Sequence, residues 1–328
     1  MQKKNRIRRI AAAALVTALL TVTPTLALFG KKAAAAVPAA GAPIARELEI
    51  RTYRNIPYHA EFLSSDSEGE DVTYTVETEP KHGSVAVDGA SFVYTPDKNR
   101  TGTDSFTYVA TDSGGNASAP ANVSVTIGKI KSGVTYADTG DSSAAAAAQA
   151  LAETGVFTGA RIGDEYFFEP DRTVSRSEFL AMTMQAAGMS ADAVTMTGFC
   201  DDEAIPTWAK SYAAAGLSDG VIQGSETAEG VAFRGSDEIT YNEAASILNR
   251  VLRVNDVDLA TWYADRAAVP SWAAQAVGNM ESVSVMAAGS FGSSALNNSV
   301  TRADAAQMLC AAQTLMAGEE SGIFDWIS

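Results

Sequence analysis

Apolar and polar positions alternate in short runs between residues 46 and 128. The runs include Val72-Thr73-Tyr74-Thr75-Val76, Ser84-Val85-Ala86-Val87, Ser91-Phe92-Val93-Tyr94, Phe106-Thr107-Tyr108-Val109 and Val123-Ser124-Val125-Thr126-Ile127. Period-two patterning predicts strands with one buried and one wet face. Turn-forming clusters separate them, among them Pro80-Lys81-His82-Gly83, Asp88-Gly89 and Asp112-Ser113-Gly114-Gly115. Short strands at regular spacing predict an antiparallel β-sandwich. From Gly133 the apolar spacing lengthens to i, i+3, i+4, i+7, the period of a helix face. Ala305, Met308, Leu309, Ala312, Leu315 and Met316 form one such stripe. Ala244, Ile247, Leu248 and Val251 form a second, and Phe179, Met182 and Ala186 a third.

The helical part repeats. An aromatic-x-Asp element occurs as Tyr136-Ala137-Asp138, Phe199-Cys200-Asp201 and Tyr263-Ala264-Asp265, at intervals of 63 and 64 residues. A helix-start element occurs as Ser175-Arg176-Ser177-Glu178, Thr240-Tyr241-Asn242-Glu243 and Thr301-Arg302-Ala303-Asp304, at intervals of 65 and 61. Two independent markers at one period establish three copies. Each copy also begins with a shorter helix, opened in the second and third by Pro206-Thr207-Trp208-Ala209 and Pro270-Ser271-Trp272-Ala273. Proline suits a first turn, where its missing N–H has no partner to lose. One helix pair does not enclose its own apolar face, so the three copies are expected to pack on each other.

Ser/Thr-x-x-Glu is a capping box that satisfies N–H groups at a helix start, and Asp304 is a shorter substitute in the third copy. The box accounts for the outer residues but not for Arg176 and Arg302. A cation in the first turn faces the positive end of the helix dipole. An anionic ligand held by the arginine beside free N–H groups explains the placement; a salt bridge to a nearby carboxylate is the competing explanation. Tyr241 stands where the other two copies carry arginine, so the three copies are not expected to bind such a ligand equally. Trp208 and Trp272 either stack on sugar rings or lie in the core, core burial being the commoner fate. Gly159 and Gly224 serve tight turns, with N–H groups that a ligand could face.

Two family resemblances rest on these residues. Thr78–Ile127 resembles the bacterial Ig-like, cadherin-like repeat through Pro80, His82-Gly83, Tyr94-Thr95-Pro96-Asp97, Thr101-Gly102-Thr103-Asp104-Ser105-Phe106-Thr107-Tyr108 and Thr111-Asp112. It implies a spacer or adhesive module. Asp88, Asp104 and Asp112 offer oxygens to calcium, or cap turns. Residues 133–316 resemble the S-layer homology domain in three copies. The markers are the aromatic-x-Asp starts, Trp208-Ala209, Trp272-Ala273, the Gly155–Gly159 and Gly220–Gly224 turns, and the Ser/Thr-Arg helix starts. The first copy has Ser143-Ala144 in place of the tryptophan, and the third has Ser284 and Ala288 in place of the glycines. This resemblance implies a pseudo-threefold helical bundle that binds an acidic, pyruvylated secondary cell-wall polysaccharide without a covalent bond. The candidate polysaccharide-binding residues are Arg176, Arg302, Tyr241, Trp208, Trp272, Gly159, Gly224, Asp138, Asp201 and Asp265.

The expected architecture is therefore multidomain: signal peptide 1–27, linker 28–45, Ig-like sandwich 46–128, repeats at 133–190, 196–255 and 260–316, and a tail at 317–328. The start supports export. Lys3, Lys4, Arg6, Arg8 and Arg9 precede an apolar run, Ile10–Val22, that is shorter than a membrane span of ~20 residues. Cleavage after Ala27, cleavage in the later alanine run, and an uncleaved anchor are the alternatives.

The 328-residue chain carries a net charge of −15. Losing residues 1–27 would remove five positive charges and bring it to about −20. Such a chain lacks the basic footprint of a nucleic-acid binder and is unsuited to anionic membranes. Cys200 and Cys310 are read as small buried hydrophobes, although export would permit a disulfide. His59 and His82 are the only histidines, and no zinc spacing, serine elbow or phosphate loop occurs. No enzyme, metal or cofactor is expected. The expected partners are a wall polymer and a surface glycan or protein ligand of the Ig-like domain. The competing function is a wall-associated glycan-active enzyme or its binding subunit.

Overall fold

The structure, a computed structural model, describes residues 41–66, 69, 71–140, 142–262, 269–286 and 294–321. The expected signal peptide, the first part of the linker, Asp265 and residues 322–328 lie outside the described residues. The chain divides into two compact units, with the boundary in sequence between Lys131 and Ser132.

The first unit is all β. Its strands are β1 (Ile44–Ala45), β2 (Leu48–Tyr53), β3 (Tyr58–Glu61), β4 (Ser64–Ser65), β5 (Thr73–Thr78), β6 (Gly83–Asp88), β7 (Ser91–Pro96), β8 (Gly102–Thr111) and β9 (Ala121–Gly128). A four-stranded sheet has the order β2-β9-β8-β5 and a three-stranded sheet the order β3-β7-β6. The alternation along β8 and β9 buries Phe106, Tyr108, Val123, Val125 and Ile127. Phe62 stacks on Phe92 and Tyr108 at ring-centroid distances of 4.5 and 4.4 Å. The buried Tyr108 hydroxyl also lies 2.7 Å from Leu63 O, tying β8 to the start of the domain.

The sheet is not wholly antiparallel, contrary to expectation, because β2 pairs with β9 in parallel. A parallel pair needs a long connection, and the five intervening longer strands supply it. The expected linker also ends too late, since Ile44 and Ala45 already pair with β4.

The second unit is mainly helical. The first copy contains α1 (Ala145–Glu153), the hairpin β10 (Ala160–Ile162)–β11 (Glu165–Phe167), and α2 (Arg176–Ala186). The second contains α3 (Thr207–Ser218), the hairpin β12 (Ser225–Thr227)–β13 (Gly230–Ala232), and α4 (Tyr241–Leu252). The third contains α5 (Leu259–Trp262), α6 (Ser271–Ser282) and α7 (Arg302–Ser321). α7 continues past residue 316, where the tail was expected to begin. α3 matches α4 in length, and Pro206 and Pro270 sit at the N-caps of α3 and α6 rather than inside the first turn.

The three apolar stripes meet in one core in which Phe179, Leu248 and Leu309 are fully buried. At its centre Val174 N–H donates to Val300 O, Val300 N–H to Ile239 O, and Ile239 N–H to Val174 O, at 2.8–3.0 Å. These three bonds close a ring, so each copy both donates to and accepts from its two neighbours.

Candidate functional site

The capping boxes form as expected. Ser175 and Glu178 exchange both bonds at α2, and Thr240 and Glu243 do so at α4. At α7, Asp304 N–H donates to the Thr301 hydroxyl and Thr301 N–H to the Asp304 carboxylate.

The residue inside each box reaches the next copy around the ring. Arg176, 8% exposed, donates from Nε to Phe233 O at 3.0 Å and lies 2.9 Å from Glu243 Oε1. Arg302, 6% exposed, donates to Phe168 O at 2.9 Å and lies 2.7 Å from Glu169 Oε2. Tyr241 directs its hydroxyl to Asp304. The three junctions thus share one plan: each middle residue engages the neighbouring copy, and Glu243, Asp304 and Glu178 are the box acids on the receiving side. Burial pulls both guanidinium groups below their ordinary pKa, and Glu243 and Glu169 act in opposition. Burial, aided by Asp304, pushes the Tyr241 hydroxyl up.

The N–H groups expected to be free at these helix starts are occupied. Arg176 N–H and Ser177 N–H donate to Asp237 O and Gly235 O; Arg302 N–H and Ala303 N–H donate to Arg172 O and Pro170 O. Packing of the copies therefore uses the donors that an anion would have taken. The arginines are salt-bridged, which was the competing explanation for their position.

The aromatic-x-Asp element supports the same junctions from below. Tyr136 and Phe199 are buried. Asp138 accepts from Phe168 N–H and Glu169 N–H at 2.9 and 2.7 Å, and Asp201 from Phe233 N–H and Arg234 N–H at 2.8 and 2.7 Å. Glu169 and Arg234 have φ of 56° and 58°, a left-handed backbone that side chains disfavour. The aspartates fix that backbone and so aim the two carbonyls that receive Arg302 and Arg176.

Gly159 and Gly224 are required on steric grounds. A Cβ would lie 2.2 Å from Phe167 O at the first and 2.7 Å from Ala232 O at the second, and both have positive φ. The hairpin backbone passes directly over each turn.

Trp208 and Trp272 are 52% and 60% exposed. Core burial, the commoner fate, is not theirs: each stands second in its helix and points away from the core stripe. Cys200 is also exposed, contrary to expectation, and the two cysteines are not bridged to each other.

In the Ig-like unit Asp104 and Asp112 cap turns. Asp104 accepts from Lys81 N–H, His82 N–H and Ser105 N–H at 2.9–3.0 Å and from the Tyr94 hydroxyl at 2.9 Å. Burial pushes its pKa up, but these donors outweigh burial and hold it below the ordinary value. Asp112 accepts from the Asn116 side chain and N–H, which hold its pKa down. Among the described residues no group of three His, Cys, Asp or Glu side chains is placed to hold a metal, and no helix is long and apolar enough to cross a membrane.

The carbonyls of Phe168 and Phe233 and the carboxylate of Glu169 were not singled out from the sequence. A signal existed: Phe168 and Phe233 recur at the same 65-residue interval as Ser175 and Thr240.

Comparison with known proteins bears on the first unit. No curated protein matches the chain. An endo-fucoidan hydrolase of glycoside hydrolase family 107 is 20% identical over 30% of this chain and 15% of its own, with a TM-score of 0.24. A putative α-galactosidase/melibiase from Bacteroides fragilis is 15% identical over 27% and 18%, TM-score 0.22. Fibronectin(III)-like modules from Clostridium thermocellum are 18% identical over 27% and 47%, TM-score 0.20. The chain spans less than a fifth of the first two structures, and likenesses this slight carry no inference about activity. Residues 40–126 match the bacterial Ig domain family, in agreement with the two-sheet fold of that segment.

Proposed function

We propose that this is a non-catalytic bacterial surface protein, held to the cell wall by its helical unit, with the Ig-like unit as spacer or adhesive module. The helical unit is a pseudo-threefold bundle of S-layer homology repeats, and its ligand is an acidic secondary cell-wall polysaccharide. The observation that carries the reading is the pair of indole rings, Trp208 and Trp272, held in solvent at the same position of α3 and α6. A fold gains little stability from a solvent-exposed tryptophan. Its flat apolar face with an N–H at one edge suits a sugar ring, which presents C–H groups on its faces and hydroxyls around its rim.

Retention on purified wall tests the proposal. The chain should bind wall that keeps its polymer and not wall stripped of it. Trp208→Ala combined with Trp272→Ala should lower retention at least tenfold while leaving the melting temperature within about 2 °C, because exposed positions contribute within about 0.5 kcal/mol each. Equal retention on both walls would rule out the anchoring role.

A further inference from the structure

The charges of the Ig-like unit are sorted between its two ends. At the end where β2, β5, β7 and β9 finish and β3, β6 and β8 begin, Arg54, Lys81, Lys98, Arg100, Lys129 and Lys131 stand against Glu79, Asp97 and Asp104. This leaves three positive charges in excess, with His82 beside them. At the opposite end Arg46 stands against Glu47, Glu61, Asp66, Asp71, Asp88 and Asp112 among the described residues. β8, ten residues long, runs from one end to the other, and at about 3.4 Å per residue it holds them roughly 30 Å apart. That is several times the screening length of ~8 Å at physiological salt. An ion approaching the basic end therefore meets a positive local field, although the chain as a whole carries −15.

Four loops build that end, and hydrogen bonds tie them into one frame. Arg54 N–H donates to Gly128 O at 3.0 Å, and Asp97 N–H to His82 O at 2.9 Å. Asn99 N–H donates to Asn55 Oδ1 at 2.6 Å, and Lys81 N–H to Asp104 Oδ1 at 3.0 Å. Arg54 and Lys81 thus hold their loops through backbone groups, and their side chains are left to solvent. Arg54, Lys81, Lys98 and Lys129 are all exposed. Among the described residues none of these four, nor Arg100, forms a salt bridge. Arg100 Nε is enclosed and has no hydrogen-bond partner among them. In the helical unit, by contrast, Arg161, Arg172, Arg176, Lys210, Arg234 and Arg302 are each paired with a carboxylate. Of the three carboxylates at the basic end, Asp104 is already occupied by three backbone N–H groups and the Tyr94 hydroxyl. Cations that pair with nothing in the fold and stand on a braced frame are arranged for a partner outside the chain.

We propose that this end of the Ig-like unit is a docking surface for a flexible anionic polymer that carries one acidic group per sugar or polyol repeat. The cations stand on separate loops, one or two strand spacings apart, ~5–10 Å, which suits charges spaced by a repeat unit. A DNA duplex carries one charge per about 1.7 Å and is stiff, so it would press many unmatched phosphates against an acidic chain. The surface lies in a different unit from Trp208 and Trp272, and the inference does not rest on the anchoring role. It makes the Ig-like unit an adhesive module rather than a spacer.

The test uses the full chain and a quadruple variant, Arg54→Gln with Lys81→Gln, Lys98→Gln and Lys129→Gln. The probes are a glycerol phosphate polymer, polygalacturonate, uncharged dextran and a DNA duplex. Calorimetric titration should show the unaltered chain binding one or both acidic polymers and not dextran. Four charge contacts imply a fall of roughly fiftyfold in affinity between 50 and 200 mM salt. The quadruple variant should bind at least tenfold more weakly at the lower salt and lose most of that salt dependence. Tighter binding of the phosphate polymer identifies phosphate as the acidic group, and tighter binding of polygalacturonate identifies carboxylate. Lys81→Arg with Lys98→Arg and Lys129→Arg keeps the charge and should bind as the unaltered chain does, and Arg46→Gln, at the other end, should have no effect. Each titration is repeated in a chain carrying Trp208→Ala and Trp272→Ala, where the salt-dependent binding should persist. Unchanged affinity in the quadruple variant overturns the inference, as does equal weakening by Arg46→Gln, loss of binding in the arginine variant or loss in the tryptophan-free background. Tighter binding of the duplex than of either polymer overturns the assignment of the partner.

Discussion

Replacing Asp201 by alanine probes how the junction between the first and second copies is built. The carboxylate accepts Phe233 N–H at 2.8 Å and Arg234 N–H at 2.7 Å. Phe233 is fully buried, so its N–H loses its acceptor where water does not readily substitute. Arg234 is left-handed, with φ of 58°, and loses the bond that compensates this. A hydrogen bond to a charged group contributes about 1.5–3 kcal/mol. Two such bonds, discounted because Asp201 is half-exposed, come to about 2–3 kcal/mol. For a helical unit of roughly 200 residues each kcal/mol shifts the midpoint by about 2–4 °C, so Asp201→Ala should lower the melting temperature by about 5–10 °C. Circular dichroism at 222 nm follows this unit, because the Ig-like unit has no helix among its described residues. Asp201→Asn keeps one acceptor oxygen and should lose about half as much. Phe233 O also receives Arg176, so Asp201→Ala and Arg176→Ala should combine non-additively. A shift below 2 °C, or strict additivity, would refute the supporting role of the aromatic-x-Asp element.

Three further outcomes are expected. Ser284 follows α6 with φ of 58°, where the matching residues of the other copies are Gly155 and Gly220, so Ser284→Gly should stabilise by about 0.5–1 kcal/mol in thermal unfolding. Gly224→Ala should cost over ~2 kcal/mol, because the new Cβ meets Ala232 O and Phe199 at 2.7 and 2.8 Å; Gly220→Ala, in open space, should cost only the ~1 kcal/mol of its backbone conformation. In the Ig-like unit the pKa of Asp104 is depressed, so its contribution is present above the unfolded value of about 4 and is lost as pH falls through the lower folded value. Asp104→Asn should flatten the acid side of the urea-midpoint profile below about pH 4, and an unchanged slope would refute the capping role.

Much of the fold could be read from single residues and their spacing. Strands β5 to β9 carry clean alternation between turn residues, and the helices α2, α4 and α7 carry both a stripe and a capping box. The hairpins β10–β11 and β12–β13 gave no such signal. They are three residues per strand with most side chains in solvent, so no apolar alternation marks them, and only the Gly163-Asp164 turn hints at the first. The parallel pairing of β2 with β9 joins segments over seventy residues apart, which local pattern does not encode. The site was legible in its markers but not in its partners. Arg176 and Glu243 are 67 positions apart, and only the packing of the copies shows that each arginine is neutralised by its neighbour and that the helix-start N–H groups are filled.

The ring formed by Val174, Ile239 and Val300 bears on how the helical unit comes into existence. A tandem array that grows by stacking can fold copy by copy and can lose an end copy with little harm. A closed ring has no end. Its first and last members lie 126 positions apart, so the closing contact carries the chain-entropy cost of a long loop. A chain emerging from its N-terminus holds two helix pairs with an open edge until Val300 and the start of α7 have appeared. The unit should therefore fold as one late, cooperative event. Deleting any one copy would abolish the bundle rather than shorten it, which fixes the number of copies at three.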